Sequence, residues 1–364
     1  MSVNKKKTFF QKLAYYFGGA SPSRMLNTAR SVLAARKGDL EPVPPWRLQI
    51  EVTNRCNLDC VFCSRHEHKL QLGDIPPSLY DAVVELSAKA QEVALFGYGE
   101  PLVSKAFFEL LPRLRSSRLT FFTNGMLMDG KMFERILGLT GKRLAYIVYS
   151  IDGGTAETFE HIRQPALFET VWNNLSEVAA LREGKRNRVG VHIEFVAMKR
   201  NVRELPLLLE RAEKAGADVV KVSHLVVWDE SLRNESLYYH QDLGRAAFAE
   251  AAAAAEGMRL RLELPKVMGE AEPGQPPCFM PWNYAMISFE GEVRVCCFAP
   301  EFTMGSLRDN TFEEIWHSER YRAFRKAFVE KRYPSPCQAC EERFRRCASP
   351  DEERTYIKLK PRTK

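Results

Sequence analysis

Three cysteines fall within the stretch "CNLDCVFC", where Cys56, Cys60 and Cys63 follow one another at spacings of four and three. Thiolates this close along a chain suit a shared metal centre. A structural zinc site takes four ligands, usually as two separated pairs. A disulfide framework takes an even number of cysteines in a small secreted chain. Three thiolates on one loop fit neither description. They match three irons of a [4Fe–4S] cluster, whose usual protein ligands are cysteine thiolates, with the fourth iron left for a substrate or cosubstrate. A chance grouping or an incomplete zinc knuckle is the plain alternative, and the rest of the chain has to decide.

The other six cysteines stand at 278, 296, 297, 337, 340 and 347, and none lies between Cys63 and Cys278. Two cysteine-bearing regions therefore flank a cysteine-free body. That body alternates two patterns. "WRLQIEV" (46–52), "EVALFGYG" (92–99), "RLTFFTNG" (118–125), "LAYIVYSID" (144–152), "VGVHIEFVAM" (189–198) and "ADVVKVSHL" (217–225) are short, apolar, β-branched or aromatic runs. Between them lie helical patterns such as "SLYDAVVELSAKA", "MFERILGL", "TVWNNLSEVAALRE" and "RELPLLLERAEKAG". Strands alternating with helices make parallel βαβ units. Six of them predict an α/β fold, a TIM-like barrel or a partial (β/α)6 barrel rather than an open sheet. Barrel chemistry sits at the C-terminal ends of strands, and the three cysteines follow the first strand. An Ala-rich helix (246–255), the strand-like "MRLRLELP" and the Pro/Gly-rich "GEAEPGQPP" (269–277) close the body. The expected division is an N-terminal helical extension (1–44), a barrel (45–268), a C-terminal cysteine domain (269–350) and a basic tail (351–364).

Composition narrows the classes further. Hydrophobic residues make up 45% and charged residues 27%, as in ordinary globular proteins, and the net charge is +7. Much of that charge sits in Lys5 to Lys7, "RFRR" (343–346) and "KLKPRTK", which read as solvated ends rather than a nucleic-acid interface. Near the start, Phe9, Phe10, Leu13, Tyr16 and Phe17 recur at helical spacing, whereas Gln11 and Lys12 interrupt the apolar run a signal peptide would need. No stretch approaches the roughly 18 apolar residues of a membrane span. The expectation is a cytoplasmic chain whose cysteines ligate metal or act as thiols.

The cysteine motif after the first strand resembles that of the radical SAM superfamily, in which the open iron chelates S-adenosylmethionine. Three further stretches follow strands in the order that family shows. "GYGEP" (97–101) resembles its Gly-Gly-Glu motif, with Tyr98 in place of one glycine; Gly97, Gly99 and Glu100 are the implied holders of the cosubstrate ammonium. "FTNG" (122–125) follows the third strand, and "YSIDGG" (149–154) resembles the Ser-x-Asp-Gly turn. By that resemblance Ser150 bonds the cosubstrate carboxylate, Asp152 shapes the turn and Arg163 is a candidate for charge pairing.

The C-terminal region resembles the SPASM extension or its shorter twitch form, which carries auxiliary iron–sulfur clusters. The implied ligands are Cys278, Cys296, Cys337 and Cys340, with a hairpin turning at Glu290-Gly291 between the first two. Two separated cysteine pairs would equally make a zinc site. Six cysteines fall short of the eight that two all-cysteine clusters need, and Asp351 stands where a further cysteine is expected. One auxiliary cluster is therefore expected, as in the radical SAM aminocyclitol dehydrogenases, with Asp351 as an alternative oxygen ligand to a second. Cys347 is an alternative ligand. Cys297 is expected to point away from its ligand neighbour, and both Cys297 and Cys347 are candidate hydrogen-atom donors.

The reaction this implies begins with an electron from a donor such as flavodoxin or ferredoxin. S-adenosylmethionine is cleaved to a 5′-deoxyadenosyl radical, which abstracts hydrogen from a substrate C–H bond. Oxidation of the substrate radical through the auxiliary cluster would give a dehydrogenase of a small polyol or aminosugar-like molecule. Peptide maturation and epimerisation are the alternative outcomes. A non-enzymatic iron–sulfur or zinc scaffold is the alternative from another class, against which "GYGEP" and "YSIDGG" count. The segment 224–242, with its aromatic, acidic and His residues, is a candidate pocket wall.

Overall fold

A computed structural model describes residues 21–65, 71–183, 188–268, 278–297, 302–334 and 337. The N-terminal amphipathic run at 9–17, Cys340, Cys347 and Asp351 lie outside the described residues.

Helix α1 (Pro22–Lys37) precedes the first strand, β1 (Arg47–Ile50). The repeating units then follow as α2 (Tyr80–Lys89), β2 (Glu92–Leu95), α3 (Lys105–Leu110), β3 (Arg118–Thr123), α4 (Gly130–Thr140) and β4 (Leu144–Ser150). They continue with α5 (Ala156–Ile162), α6 (Phe168–Arg182), β5 (Gly190–Ala197), α7 (Leu205–Ala215), β6 (Val219–His224), α8 (Gln241–Ala254) and β7 (Arg261–Glu263). The C-terminal elements are α9 (Met280–Asn283), β8 (Tyr284–Ile287), β9 (Glu292–Arg294), β10 (Thr303–Ser306), α10 (Phe312–Trp316) and α11 (Glu319–Val329). Every strand expected from the apolar runs is present.

The ten described strands form one sheet in the order β10-β9-β8-β1-β2-β3-β4-β5-β6-β7. From β8 through β7 every pair is parallel, and β9 runs antiparallel to both its neighbours. The end strands β10 and β7 are not neighbours, so this is a partial barrel. The expected hairpin is β8–β9, with Gly291 at φ +90° in its turn. Its place is informative: β8 pairs with β1, so the C-terminal cysteine region extends the barrel's own sheet.

Parallel strands covered on both faces read as continuous apolar runs, and β2 is buried throughout. On β5 burial alternates, with His192, Glu194 and Val196 half-buried on the inner face and Val191, Ile193, Phe195 and Ala197 under the helices. The inner face carries polar side chains in register. Buried Glu92 pairs with Arg47 at 3.2 Å and Arg118 at 3.5 Å from the adjoining strands. Tyr146 stacks on His192 with ring centres 4.6 Å apart.

A smaller apolar cluster of Ile162, Met198, Leu225, Val227 and Leu232 receives Val61 and Phe62. Those two residues are the spacers between Cys60 and Cys63, so the cysteine loop is seated on side chains that follow β4, β5 and β6. Much of the segment 224–242 is thereby used structurally. Leu225, Val227, Leu232 and Leu237 turn inward, and the His224 ring nitrogen Nε2 lies 2.8 Å from the Lys266 carbonyl.

Candidate cluster and cosubstrate site

The cysteine loop is held from both sides. Its stem is closed by Thr53, whose hydroxyl donates to the Gly73 carbonyl at 2.9 Å, and by Asn54, which donates to Gln71 O and accepts from Gly73 N. Beyond the stem, the Asp59 and Val61 backbone N–H groups donate to the carbonyls of Gln164 and Ile162 at 2.5 and 2.9 Å. The turn that follows α5 is thus a strap across the cysteine motif.

Cys56, Cys60 and Cys63 are all half-buried. The Cys56 sulfur accepts from Leu58 N–H at 3.4 Å and from the Asn124 amide at 3.8 Å, and the Cys60 sulfur accepts from Arg163 Nη1 at 3.9 Å. Burial pushes the Cys60 thiol up to about 11 and raises Cys56 as well. Such thiols keep their protons until a metal displaces them. Among the described residues no three His, Cys, Asp or Glu side chains are gathered as a metal site. The donor set fits a three-thiolate cluster: one loop, three sulfurs, and N–H groups aimed at two of them.

The "GYGEP" segment lies against this stem. A Cβ at Gly99 would stand 2.5 Å from both the Thr53 and Arg55 carbonyl oxygens, and one at Gly97 would stand 2.3 Å from Glu51 Oε1. Only glycine lets the backbone run so close at both positions. Glu100 donates its N–H to Arg55 O at 2.9 Å. Its buried carboxylate accepts from Asn124 N at 2.6 Å and Leu102 N at 3.2 Å, and burial raises its pKa to about 7. This side chain clasps the end of β2 to the end of β3. Asn124, in "FTNG", was not singled out in the sequence; its amide donates to Asn57 Oδ1 at 2.8 Å and reaches Cys56.

At the end of β4, Ser150 is half-buried and sits in register with Glu194 of β5. Asp152 is fully buried and accepts from Arg163 Nε at 2.6 Å and from Val196 N at 2.7 Å. Arg163 is ion-paired with Asp152 and from there reaches Cys60. Asn201 braces the same turn by donating to the Asp152 and Val196 carbonyls. Glu204 accepts from Gly154 N at 2.7 Å and from Thr155 N at 3.1 Å. Beside Ser150, Glu194 accepts from Lys221 Nζ at 3.1 Å and from the Ser223 hydroxyl. Sequence reasoning missed Asn201, Glu204, Glu194, Lys221 and Ser223. An isolated polar residue in a strand or a connection carries no spacing signal that separates it from a solvent-facing one.

Comparison with known proteins agrees with this geometry. The radical SAM superfamily matches residues 50–195, and an iron–sulfur cluster-binding domain, SPASM, matches residues 278–341. The chain is a radical SAM protein with a C-terminal SPASM domain. It is similar to the PqqA peptide cyclase of Gluconobacter oxydans (strain 621H), 27% identical over 318 residues that cover 84% of this chain and 85% of that one. It also resembles the tungsten-containing aldehyde ferredoxin oxidoreductase cofactor-modifying protein of Pyrococcus furiosus, 27% identical over 328 residues, 81% of this chain and 87% of the other. Among solved structures, Streptococcus suis SuiB bound to S-adenosylmethionine shares the fold at a TM-score of 0.62 and 17% identity, covering 89% of this chain and 79% of that one. SuiB is also known bound to its precursor peptide SuiA.

In this radical SAM protein the first match spans Cys56, Cys60 and Cys63 with the cosubstrate motifs, and the second spans Cys278 to Cys340. A SAM-binding [4Fe–4S] cluster, S-adenosylmethionine and auxiliary iron–sulfur are its cofactors, and iron–sulfur rather than zinc is the centre of the C-terminal region. Cys278, Cys296 and Cys337 are half-buried and pack against the main core from three separate stretches. Cys297, expected to point away, shares a hydrogen bond with the Tyr284 hydroxyl, which also bonds Gln49 inside the barrel.

Proposed function

We propose that this chain is a radical SAM enzyme that removes hydrogen from a C–H bond of a peptide, as a peptide-modifying maturase. The observation that carries this is the similarity to a peptide cyclase along most of both chains. It favours the peptide alternative over the expected dehydrogenase of a small polyol or aminosugar.

When bound, the three-thiolate cluster and S-adenosylmethionine supply a 5′-deoxyadenosyl radical. The chain's own residues prepare the place for it. Cys56, Cys60 and Cys63 hold the cluster, with Arg163 and Asn124 directing N–H groups at two sulfurs. The backbone of Gly97 to Gly99 takes the cosubstrate ammonium, with Glu100 holding that loop in place; Ser150 takes the carboxylate. Glu194, Lys221 and Ser223, inside the barrel next to Ser150, are polar contacts for the substrate backbone. Cys278, Cys296, Cys337 and Cys340 hold a single auxiliary cluster. A one-electron donor such as flavodoxin or ferredoxin supplies reducing equivalents.

The test is anaerobic turnover with dithionite, S-adenosylmethionine and two substrate sets, short peptides encoded beside its gene and small polyols. A peptide lighter by two hydrogens, with one 5′-deoxyadenosine formed per event, supports the proposal. Oxidation of a polyol with all peptides unchanged would return the reaction to the dehydrogenase class.

A further inference from the structure

Two inward side chains of the first strand and its extension, Gln49 and Glu51, each join the end of β2 to the C-terminal hairpin. Gln49 donates to the Phe96 carbonyl at 3.0 Å and accepts from the Tyr284 hydroxyl. Glu51, two residues on and 1% exposed, accepts from Tyr98 N–H at 2.8 Å through Oε1 and from Phe289 N–H at 3.4 Å through Oε2. Phe289 lies at the tip of the β8–β9 hairpin, and the Glu51 N–H donates to Ile287 O at 2.9 Å. Gly97 stands so close that a Cβ there would overlap this carboxylate, 2.3 Å from Oε1 and 2.4 Å from Cγ. The carboxylate and the missing side chain fit each other.

A trans peptide is planar, with its N–H and C=O on opposite sides. An N–H of Tyr98 pinned to Glu51 therefore turns the Gly97 carbonyl the other way, and Gly97 is exposed. A carboxylate accepting from a peptide N–H also polarises that peptide and strengthens its carbonyl as an acceptor. We propose that Glu51 is a positioning residue of the cosubstrate site. It orients the Gly97 carbonyl toward the ammonium of S-adenosylmethionine and shares its grip with the SPASM hairpin through Phe289. This rests on the reading that "GYGEP" receives that ammonium.

The experiment measures S-adenosylmethionine binding by equilibrium dialysis on the anaerobically reconstituted full chain. Methylthioadenosine, which lacks both ammonium and carboxylate, is the control ligand. Glu51→Gln preserves size but sets an amide NH2 against one of the two backbone N–H donors. It is expected to weaken S-adenosylmethionine about tenfold, in line with loss of one charge-assisted hydrogen bond, and to leave methylthioadenosine binding and iron content unchanged, while the melting temperature falls modestly because one buried N–H loses its acceptor. Unaltered affinity, or an equal loss for both ligands, overturns the proposal. A double-mutant cycle gives an independent check. Gly97→Ala alone should weaken binding at least tenfold. Adding Glu51→Ala opens the space the new methyl needs and should restore affinity to that of Glu51→Ala alone. Losses that simply multiply would show that Gly97 does not act through Glu51. A wild-type chain that binds both ligands equally would remove the ammonium reading itself, an outcome distinct from failure of the Glu51 proposal.

Discussion

The cysteines at 56–63 and those of the C-terminal region differ in how far apart the chain carries them before the fold brings them back. The first three sit on one loop, and the strap formed by Ile162 to Gln164 holds that loop through backbone hydrogen bonds. Cys278, Cys296 and Cys337 come from three stretches, and each is placed against the common core by the pairing of β8 with β1 and the packing of helices before and after the barrel. The Ser31 hydroxyl of α1 lies 2.9 Å from the Trp282 carbonyl of α9. Arg325 of α11, fully buried between the Trp316 and Tyr321 rings at 4.2 Å from each, donates to the carbonyls of Pro281, Leu40 and Trp316. A local ligand set depends on one loop; a dispersed one depends on the whole frame. Damage to the frame should therefore separate the two.

The largest expected effect lies on the local side. Changing Cys56, Cys60 and Cys63 together to Ala should abolish 5′-deoxyadenosine formation while the C-terminal iron stays. Iron should fall from about eight to about four per chain, on the usual four-iron stoichiometry. Continued cleavage under dithionite would sink the assignment, and about twelve irons in the unaltered chain would bring Asp351 back as a ligand.

The converse case is Arg325→Ala. It leaves three carbonyls without their donor and a void between two rings, at a cost of about 3–5 kcal/mol. The C-terminal iron should be lost first, with the EPR signal of the first cluster retained. Equal loss of both clusters would mean that the two regions fold as one unit, and the contrast drawn above would fail.

A smaller effect sharpens the local side. Asp152→Asn removes the charge that holds Arg163 against Cys60. By analogy with other residues that orient metal ligands, activity should drop roughly 10–100-fold. Iron content should be normal, and the first cluster's reduction potential should move. An unmoved potential would make the Asp152–Arg163 pair a brace for the turn alone.

Legibility in the sequence followed the same divide. Cys56, Cys60 and Cys63, the six barrel strands and the turn at Gly291 were readable because each depends on neighbours a few residues away. The parallel docking of β8 on β1 was not, since Tyr284 and Arg47 are register partners separated by most of the chain. The sequence offers Gly97 as an implied holder of the cosubstrate ammonium. That it also makes room for Glu51 appears only when the two strand ends are side by side. Asn124, Asn201 and Glu204 escaped for a related reason: each satisfies backbone groups of a distant loop, and nothing in its own neighbourhood records the partner.

The smallest expected effect concerns the inner face, away from both cysteine regions. His192, stacked on Tyr146, is pushed down by burial to about 4 from its ordinary value near 6.5. Its folded-state pKa lies below the unfolded one, so between these values the unfolded chain binds the proton that the folded chain refuses. Stability from this residue is fully present above pH 6.5 and is lost as pH falls toward 4, by at most about 3 kcal/mol at the acid extreme and well under 1 kcal/mol near neutrality. His192→Phe keeps an aromatic ring against Tyr146 and has nothing to protonate. Its urea midpoint should fall less steeply than that of the unaltered chain between pH 6.5 and 4. Both cluster signals should be lost in parallel as the unaltered chain is acidified through that window, because a ring on the inner face of the shared sheet supports both regions. Parallel slopes for the variant and the unaltered chain would show that the imidazole is hydrated in the folded state. Loss of one cluster ahead of the other would show that acid weakens one region alone.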